Sequence, residues 1–417
     1  MSRLDRTRLS ALLAAEETRF RETHPKSRAL FERARKVLLA GVPMPWMVKW
    51  AGGFPLFIES GQGGHFTDVD GLRYLDLCLG DTGAMSGHAP GGTAEAVRRQ
   101  ADRGFTFMLP TEDAVWVAEE LRRRFGLPWW QFTLTATDAN RAVIRLARLI
   151  TRRPKILVFN WCYHGTVDET FAVLQDGAVR PRPGNLGPPV DPAVTTRVVE
   201  FNDVAALEAE LAHGDVACVL AEPAMTNIGI IPAAPGFHAA LREVTRRAGT
   251  LLVLDETHTI CAGPGGCTRA DRLEPDILTF GKAIGGGIPA AAYGCSAEVA
   301  DRIASRMTLV EADTGGIGGT LAANAFSLAA MRATLAHQLS EANFAETIPV
   351  ASRFAAGVAG VVGEFGLPWT VQQLGCRAEY WFRPEPPRNG GEAATAGDFD
   401  LERYLHLAAL NRGVLLT

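Results

Sequence analysis

Between about residues 90 and 330 the chain repeats one pattern: a helical stretch, a loop, then a short strand-like run rich in apolar residues. The runs are Gln131 to Leu134, Lys155 to Phe159, Ala217 to Leu220, Leu251 to Leu254 and Ile277 to Phe280. Short apolar runs alternating with helices belong to strands buried on both faces of a parallel sheet. The pattern sets the fold class as α/β, with a large domain, 86–330, whose mainly parallel sheet is covered by helices. The flanks read differently. From Arg8 to Leu39 apolar residues recur at helical spacing amid many charges, which predicts one or two amphipathic surface helices. Residues 54–78 read as short strands with a turn at Asp70-Gly71. After the helical stretch Ala322 to Gln338, helices alternate with the strand-like Glu379 to Phe382 and the Pro/Gly/Ala-rich segment Pro384 to Asp398. The expected organisation is a small α+β domain built from an N-terminal segment, 1–85, and a C-terminal one, 331–417. A second long loop, Gln175 to Ala193, has the length of a lid or a partner contact.

Charge narrows the partner. Forty-two basic residues against 46 acidic ones leave a formal charge of −4, so the global field gives no reason to expect nucleic acid or an anionic membrane. The longest charge-free run, Pro223 to Leu241, is broken by three prolines and two glycines and cannot be a spanning helix. Arg3, Arg6 and Arg8 precede only the short apolar stretch Leu9 to Ala15, which is too short for a secretory signal. The seven cysteines form no Cys-x-x-Cys pair, which reads as reduced and cytoplasmic, with no metal site. Small molecules are the expected partners.

In open α/β sheets ligands bind outside the carboxyl ends of the strands. Leu251 to Leu254 run straight into Asp255, and Ile277 to Phe280 run into Gly281-Lys282 and a glycine-rich turn. Taken singly, Asp255 is equally a helix cap or an ion-pair partner, and Lys282 a solvated lysine. Together they supply what a pyridoxal phosphate site requires: an amine for the cofactor aldehyde and a carboxylate to hold the proton on the pyridine nitrogen. A phosphate site is then expected at a helix N-terminus. Thr135-Ala-Thr-Asp-Ala-Asn opens a helical run after the strand-like Gln131 to Leu134 and offers hydroxyls and free N–H groups there; an ordinary N-cap is the alternative.

These motifs are joined by Tyr163-His-Gly, Glu222-Pro, Asp255-Glu-Thr-His-Thr, Phe280-Gly-Lys-Ala-Ile-Gly-Gly-Gly and Gly319-Thr320. In order and spacing the set resembles the class III pyridoxal-phosphate aminotransferases of fold type I, in particular the branch with glutamate-1-semialdehyde aminomutase and β-amino-acid aminotransferases. The resemblance runs from about Phe31 to the C-terminus. It implies that Lys282 is the Schiff-base lysine and Asp255 the partner of the pyridine nitrogen. It also implies that Tyr163 and Thr257 lie on the two ring faces and His258 near the ring hydroxyl. Thr135, Ala136 and Thr137 would form the phosphate cup, with His164 also at the cofactor and Glu222 at the pocket edge. Thr320 would reach the phosphate of the other subunit of a homodimer with a shared site. For Tyr163 and His164 a packed turn before a helix is the alternative.

The chain departs from the family in four places. Thr135-Ala-Thr-Asp replaces Ser-Gly-Thr-Glu, Thr257 replaces a valine, and the chain stops at Leu415-Leu-Thr where relatives continue. Met44-Pro-Trp-Met-Val-Lys-Trp stands where the aminomutase has Ser-Pro-Val-Arg, so its substrate-binding arginine is absent. The expected activity is therefore an aminotransferase moving an amino group from an amino acid or amine to a keto acid, through a Lys282 Schiff base and pyridoxamine phosphate. An intramolecular aminomutase or a racemase on the same scaffold is the first alternative, and a cofactor-free binding protein the second. Trp46, Met47, Trp50 and Met85 suggest an apolar pocket. A substrate carboxylate would be met by Arg377 or by Lys49; the alternative for Arg377 is a pair with Glu379.

Overall fold

The sheet of the larger unit follows from alternation within each strand. In β5 (Lys155–Phe159), Ile156 and Val158 join one hydrophobic core while Leu157 and Phe159 join another. The same split divides Leu251 and Val253 from Leu252 and Leu254 in β10 (Leu251–Asp255). A strand that buries both faces needs cover on both. Helix Ala136–Thr151 supplies one side through Ala139, Val143, Leu146, Ala147 and Ile150. Helix Phe237–Ala248 supplies the other through Phe237, Leu241 and Val244. Each of these spacings follows one face of a helix. Val253 has no exposed surface, and fully burying such a side chain contributes about 1.5–3 kcal/mol.

In this computed structural model residues 4–188, 190–308 and 315–416 are described; Pro189 of the expected lid loop and the terminal Thr417 lie outside them. By contact the chain divides into two units, Met1–Gly91 with Gly397–Thr417, and Gly92–Ala396. Residues 331–396, expected with the small domain, fall by contact with the larger unit.

In the smaller unit β1 (Ile58–Gln62), β2 (His65–Asp68) and β3 (Arg73–Asp76) form an antiparallel meander, and Val414–Leu415 adds a parallel edge to β3. Asp70-Gly71 lies in the turn between β2 and β3, with Gly71 at φ +87°. The expected N-terminal helices are Arg6–Thr23 and Pro25–Ala34. Phe20, Phe54, Phe66, Tyr74 and Leu407 share the core of this unit.

The larger unit holds seven of the remaining strands in one sheet. They are β4 (Trp129–Thr133), β5, β8 (Thr196–Val199), β9 (Val216–Ala221), β10, β11 (Ile277–Phe280) and β12 (Ala291–Cys295), in the order β4-β12-β11-β10-β9-β5-β8. Only β12 runs against its neighbours, so the other six carboxyl ends share one edge. The expected loop from Gln175 is partly a hairpin: β6 (Ala172–Gln175) pairs with β7 (Ala178–Pro181) across Asp176-Gly177. Both turn residues have positive φ, the geometry that matches strand twist. A second hairpin joins β13 (Thr370–Leu374) to β14 (Arg377–Trp381). The Pro384 to Asp398 segment, expected as a mobile loop, carries the helix Gly390–Ala394. Among the described residues no helix is long and apolar enough to cross a membrane.

Candidate active site

Five strands deliver the expected residues to that common edge. β4 leads into Thr135–Thr137, β5 into Tyr163 and His164, β9 into Glu222, β10 into Asp255–His258 and β11 into Lys282. Register fixes their level: Asp255 pairs with Thr279 on β11, and Leu254 pairs with Ala221 on β9, so Glu222 follows one step beyond.

Asp255 is buried, and its carboxylate accepts from three directions. His164 Nδ1 and Asn140 Nδ2 each lie 2.9 Å from Oδ2, and the Thr257 backbone N–H lies 3.0 Å from Oδ1. Burial opposes ionisation, but hydrogen bonds from the His164 ring, Thr257 and the Asn140 amide, with the charge of His164, outweigh it and hold the carboxyl at about 2. Burial likewise opposes charge on His164, and Cys162 together with the adjoining Asp255 carboxylate reverses this, so the ring is raised well above its usual range. His164, expected at the cofactor, thus bonds directly to Asp255. Asn140 completes the arrangement by accepting from Thr279 Oγ1 at 2.7 Å and donating to the His164 carbonyl at 3.1 Å. The sequence reading gave Asn140 no role. Its signal was a fully buried amide among the apolar positions of helix Ala136–Thr151.

Lys282 adopts φ +47°, the left-handed region that a non-glycine residue enters only where its surroundings enforce it. Gly281 makes this possible. A Cβ there would stand 3.1 Å from the Ala136 nitrogen and 3.2 Å from Ala291 Cβ, so the end of β11 lies tight against the start of helix Ala136–Thr151. Lys282 Nζ lies 2.6 Å from Nε2 of His258, and Nδ1 of that ring lies 2.9 Å from Arg377. Arg377 also donates to Glu379 at 3.0 Å, the pairing carried above as its alternative.

At the helix start Thr135 is the N-cap, accepting from the Asp138 N–H at 3.2 Å and donating to its carboxylate at 2.7 Å. This leaves the first-turn N–H groups of Ala136 and Thr137 with no acceptor within the helix. The Tyr163-His-Gly turn is locked to the same place. Gly165 has φ +79°, and a Cβ on it would come within 2.1 Å of Thr137 Oγ1. Thr137 Oγ1 in turn accepts the Thr166 N–H at 3.0 Å. Two further observations fit a bound group: Thr257 Oγ1 and His164 Nε2 are buried without a hydrogen-bond partner among the described residues. An anion at the helix start, a ring nitrogen facing Asp255 and an aldehyde within reach of Lys282 match the donor set of pyridoxal phosphate.

A profile of the class-III aminotransferase family matches residues 47–355. The chain belongs to the class-III aminotransferases. Pyridoxal 5′-phosphate is its cofactor, and its fold is that of the fold-type-I enzymes. It is 36% identical over 399 residues to glutamate-1-semialdehyde 2,1-aminomutase of Sorangium cellulosum, covering 94% of this chain and 89% of the relative. A crystal structure of a glutamate-1-semialdehyde-aminomutase from Pseudomonas aeruginosa PAO1 matches with a TM-score of 0.96 and 50% identity, covering 99% of this chain and 92% of that one. A lysine-to-alanine variant of that protein is known in complex with PMP. The β-phenylalanine aminotransferase of Variovorax paradoxus matches with a TM-score of 0.87 and 28% identity, covering 98% of this chain and 91% of that one.

Within this class-III enzyme the remaining expected residues divide by place. Tyr163 is 37% exposed, its ring 6.2 Å from that of Phe171. Thr320 is exposed at the end of stretch 315–320. Trp46 and Lys49 lie in the short helical turn Pro45–Lys49 of the smaller unit, both exposed, with Trp46 edge-on to Trp50 at 4.8 Å.

Glu222 is the site's second buried carboxyl and accepts from the Thr226 hydroxyl and N–H. Burial pushes it up to about 7, helped by Asp255 and opposed by His164 and Thr226. A carboxyl raised in this way holds its proton more tightly folded than unfolded. Its contribution to stability is whole below about pH 4.5 and is lost as pH rises to about 7. The full span is worth roughly 3 kcal/mol. Urea midpoints should therefore fall between about pH 5 and 8, and Glu222→Gln should flatten the slope. An unchanged slope in the variant would assign the titration to another group.

Proposed function

We propose that this chain is an aminotransferase that moves an amino group from an amino acid or amine to a keto acid. The observation that carries the amine chemistry is the placement of Lys282, His258 and Asp255 together at one sheet edge. Pyridoxal phosphate, when bound, supplies an aldehyde for amines and a ring that accepts electrons from the neighbouring carbon. Asp255, ionised under all ordinary conditions, holds a proton at the ring nitrogen by charge. Lys282 holds the cofactor and, once displaced by a substrate amine, moves a proton at the substrate carbon. Thr135, Ala136 and Thr137 orient the phosphate, with Tyr163 and Thr257 beside the ring.

Transfer between two molecules is favoured over internal rearrangement by the segment Met44 to Trp50, which lacks the arginine of the aminomutase motif. The aminomutase reading has support of its own, because relatives 36% and 50% identical carry that name. A direct comparison separates the two. The aminotransferase reading expects turnover only when an amino donor and a keto acid such as pyruvate or 2-oxoglutarate are both supplied. Conversion of glutamate-1-semialdehyde alone at a comparable rate would establish the aminomutase instead.

We also propose a homodimer in which the exposed Thr320 reaches the partner's phosphate site. Sedimentation at assay concentration should show dimers, and active monomers would overturn this. The seven cysteines are all free thiols, consistent with action in the cytoplasm.

A further inference from the structure

We propose that Thr334 is a positioning residue for Lys282: it backs the glycine-rich turn that carries the lysine and so governs covalent attachment of pyridoxal phosphate. The lysine opens a short helical turn, Lys282–Gly285, which Gly286 ends in the left-handed region at φ +60°. A Cβ on Gly286 would come within 2.5 Å of Thr334 Oγ1 and 3.0 Å of Thr93 Cγ2. The hydroxyl has little room to step aside. Thr334 has no exposed surface, and its Oγ1 shares a hydrogen bond of 2.8 Å with Thr93 Oγ1. Ser327, seven residues earlier on the same helical face, donates to the Pro289 carbonyl at 2.8 Å, so one helix holds the turn at two places. With Gly281 tight against Ala136 at the other end, Lys282 sits between two fixed points.

Thr334 is itself held by an irregularity of its helix. Helix Ala325–Ala333 continues as a π-helical turn, Thr334–Gln338. In an α-helix the Leu339 N–H would go to the Leu335 carbonyl; here it reaches back to Thr334 at 2.9 Å. The released Leu335 carbonyl is taken by Arg124 at 2.7 Å, and the same guanidinium donates to the Leu339 carbonyl at 2.5 Å. Arg124 is buried, and its charge is answered by Glu120 at 2.8 Å. A π-turn locked by a buried guanidinium is a defined geometry rather than a frayed helix end, and single π-turns recur at functional sites.

The proposal rests on Lys282 as the attachment point, where the lysine amine joins the cofactor aldehyde carbon and one water leaves. Pyridoxamine phosphate has an amine in place of the aldehyde and cannot form that bond, so it reports the phosphate and ring contacts alone. In the full-length chain freed of cofactor, Gly286→Ala should slow the appearance of borohydride-fixed pyridoxal phosphate on the Lys282 peptide by about tenfold or more, since a misplacement of about 1 Å can cost on the order of 10²-fold. Its dissociation constant for pyridoxamine phosphate should match wild type. Thr334→Ala alone leaves the turn unbacked and should slow attachment by about threefold, on the scale of one lost hydrogen bond. Introduced into Gly286→Ala, it makes room for the new Cβ and should restore most of the rate. A general loosening of the fold would weaken both ligands together and give no such recovery. Equal losses for both ligands, unchanged attachment in both single variants, or no recovery in the double variant would overturn the proposal. Cofactor fixed in the wild type on a peptide other than that of Lys282 would overturn the assignment of the lysine, and the proposal with it.

Discussion

Lys282→Ala should abolish covalent attachment of pyridoxal phosphate and lower turnover by more than the ~10⁴-fold upper range for one general acid or base. The loss is larger because, in the proposed function, one side chain fills two roles, anchoring the cofactor and carrying a proton at the substrate carbon. The fold should survive. The left-handed backbone at φ +47° is enforced by the tight approach of Gly281 to Ala136, which alanine does not disturb, and alanine carries the same Cβ as lysine. Borohydride treatment of the wild type should fix the cofactor to the peptide that contains Lys282, and the variant should carry none while keeping the wild-type circular dichroism. Fixed cofactor in the variant, on any of the other four lysines, would remove Lys282 from this role.

How far such an assignment is legible without coordinates varies with the physical range of the signal. β5 and β11 occupy the same residues in the structure as in the sequence reading, because a strand buried on both faces writes its limits as a continuous apolar run. β12 was missed for the opposite reason. Three of its five residues, Ala291, Ala292 and Gly294, have low strand propensity, and what places it is pairing with β4 and β11. Its small residues are a packing requirement: a Cβ on Gly294 would come within 2.7 Å of the Trp130 ring. The site divides the same way. Asp255 and Lys282 announce themselves by following apolar strands. The contact of His258 with Arg377 spans 119 positions, and no spacing rule reaches across it. For Arg377 the sequence offers a carboxylate binder or a pair with Glu379, and the structure shows that pair but adds the His258 contact. The role of His164 was likewise hidden, since its bond to Asp255 depends on β5 and β10 delivering loops to the same edge.

Asp255→Asn should leave pyridoxal phosphate bound but cost several orders of magnitude in turnover, beyond the ~10²–10⁴ of an ordinary acid or base. Binding should persist because the proposed phosphate contacts at Thr135–Thr137 and the proposed covalent link to Lys282 would be untouched. Turnover fails because an amide, though able to accept a hydrogen bond, cannot hold a proton on the ring nitrogen by charge. The surroundings sharpen the effect. His164 Nδ1, Asn140 Nδ2 and the Thr257 N–H all donate to the carboxylate. An asparagine offers one acceptor oxygen and turns an NH₂ toward at least one of these donors, so a buried donor is left unpaired at about 1–3 kcal/mol. The variant should accordingly unfold at lower urea. The two consequences have different pH signatures. With its carboxyl at about 2, Asp255 stays charged throughout the working range, so the ratio of wild-type to variant turnover should be flat from about pH 5 to 9. The stability that the depressed value contributes is present above the ordinary 3.8 and is lost only as pH falls toward about 2. Below that point wild type and variant should converge in urea midpoint. A turnover ratio that shrank toward one within the neutral range would mean that another group holds the ring proton, and Glu222, titrating near 7 beside Asp255, would be the first to test.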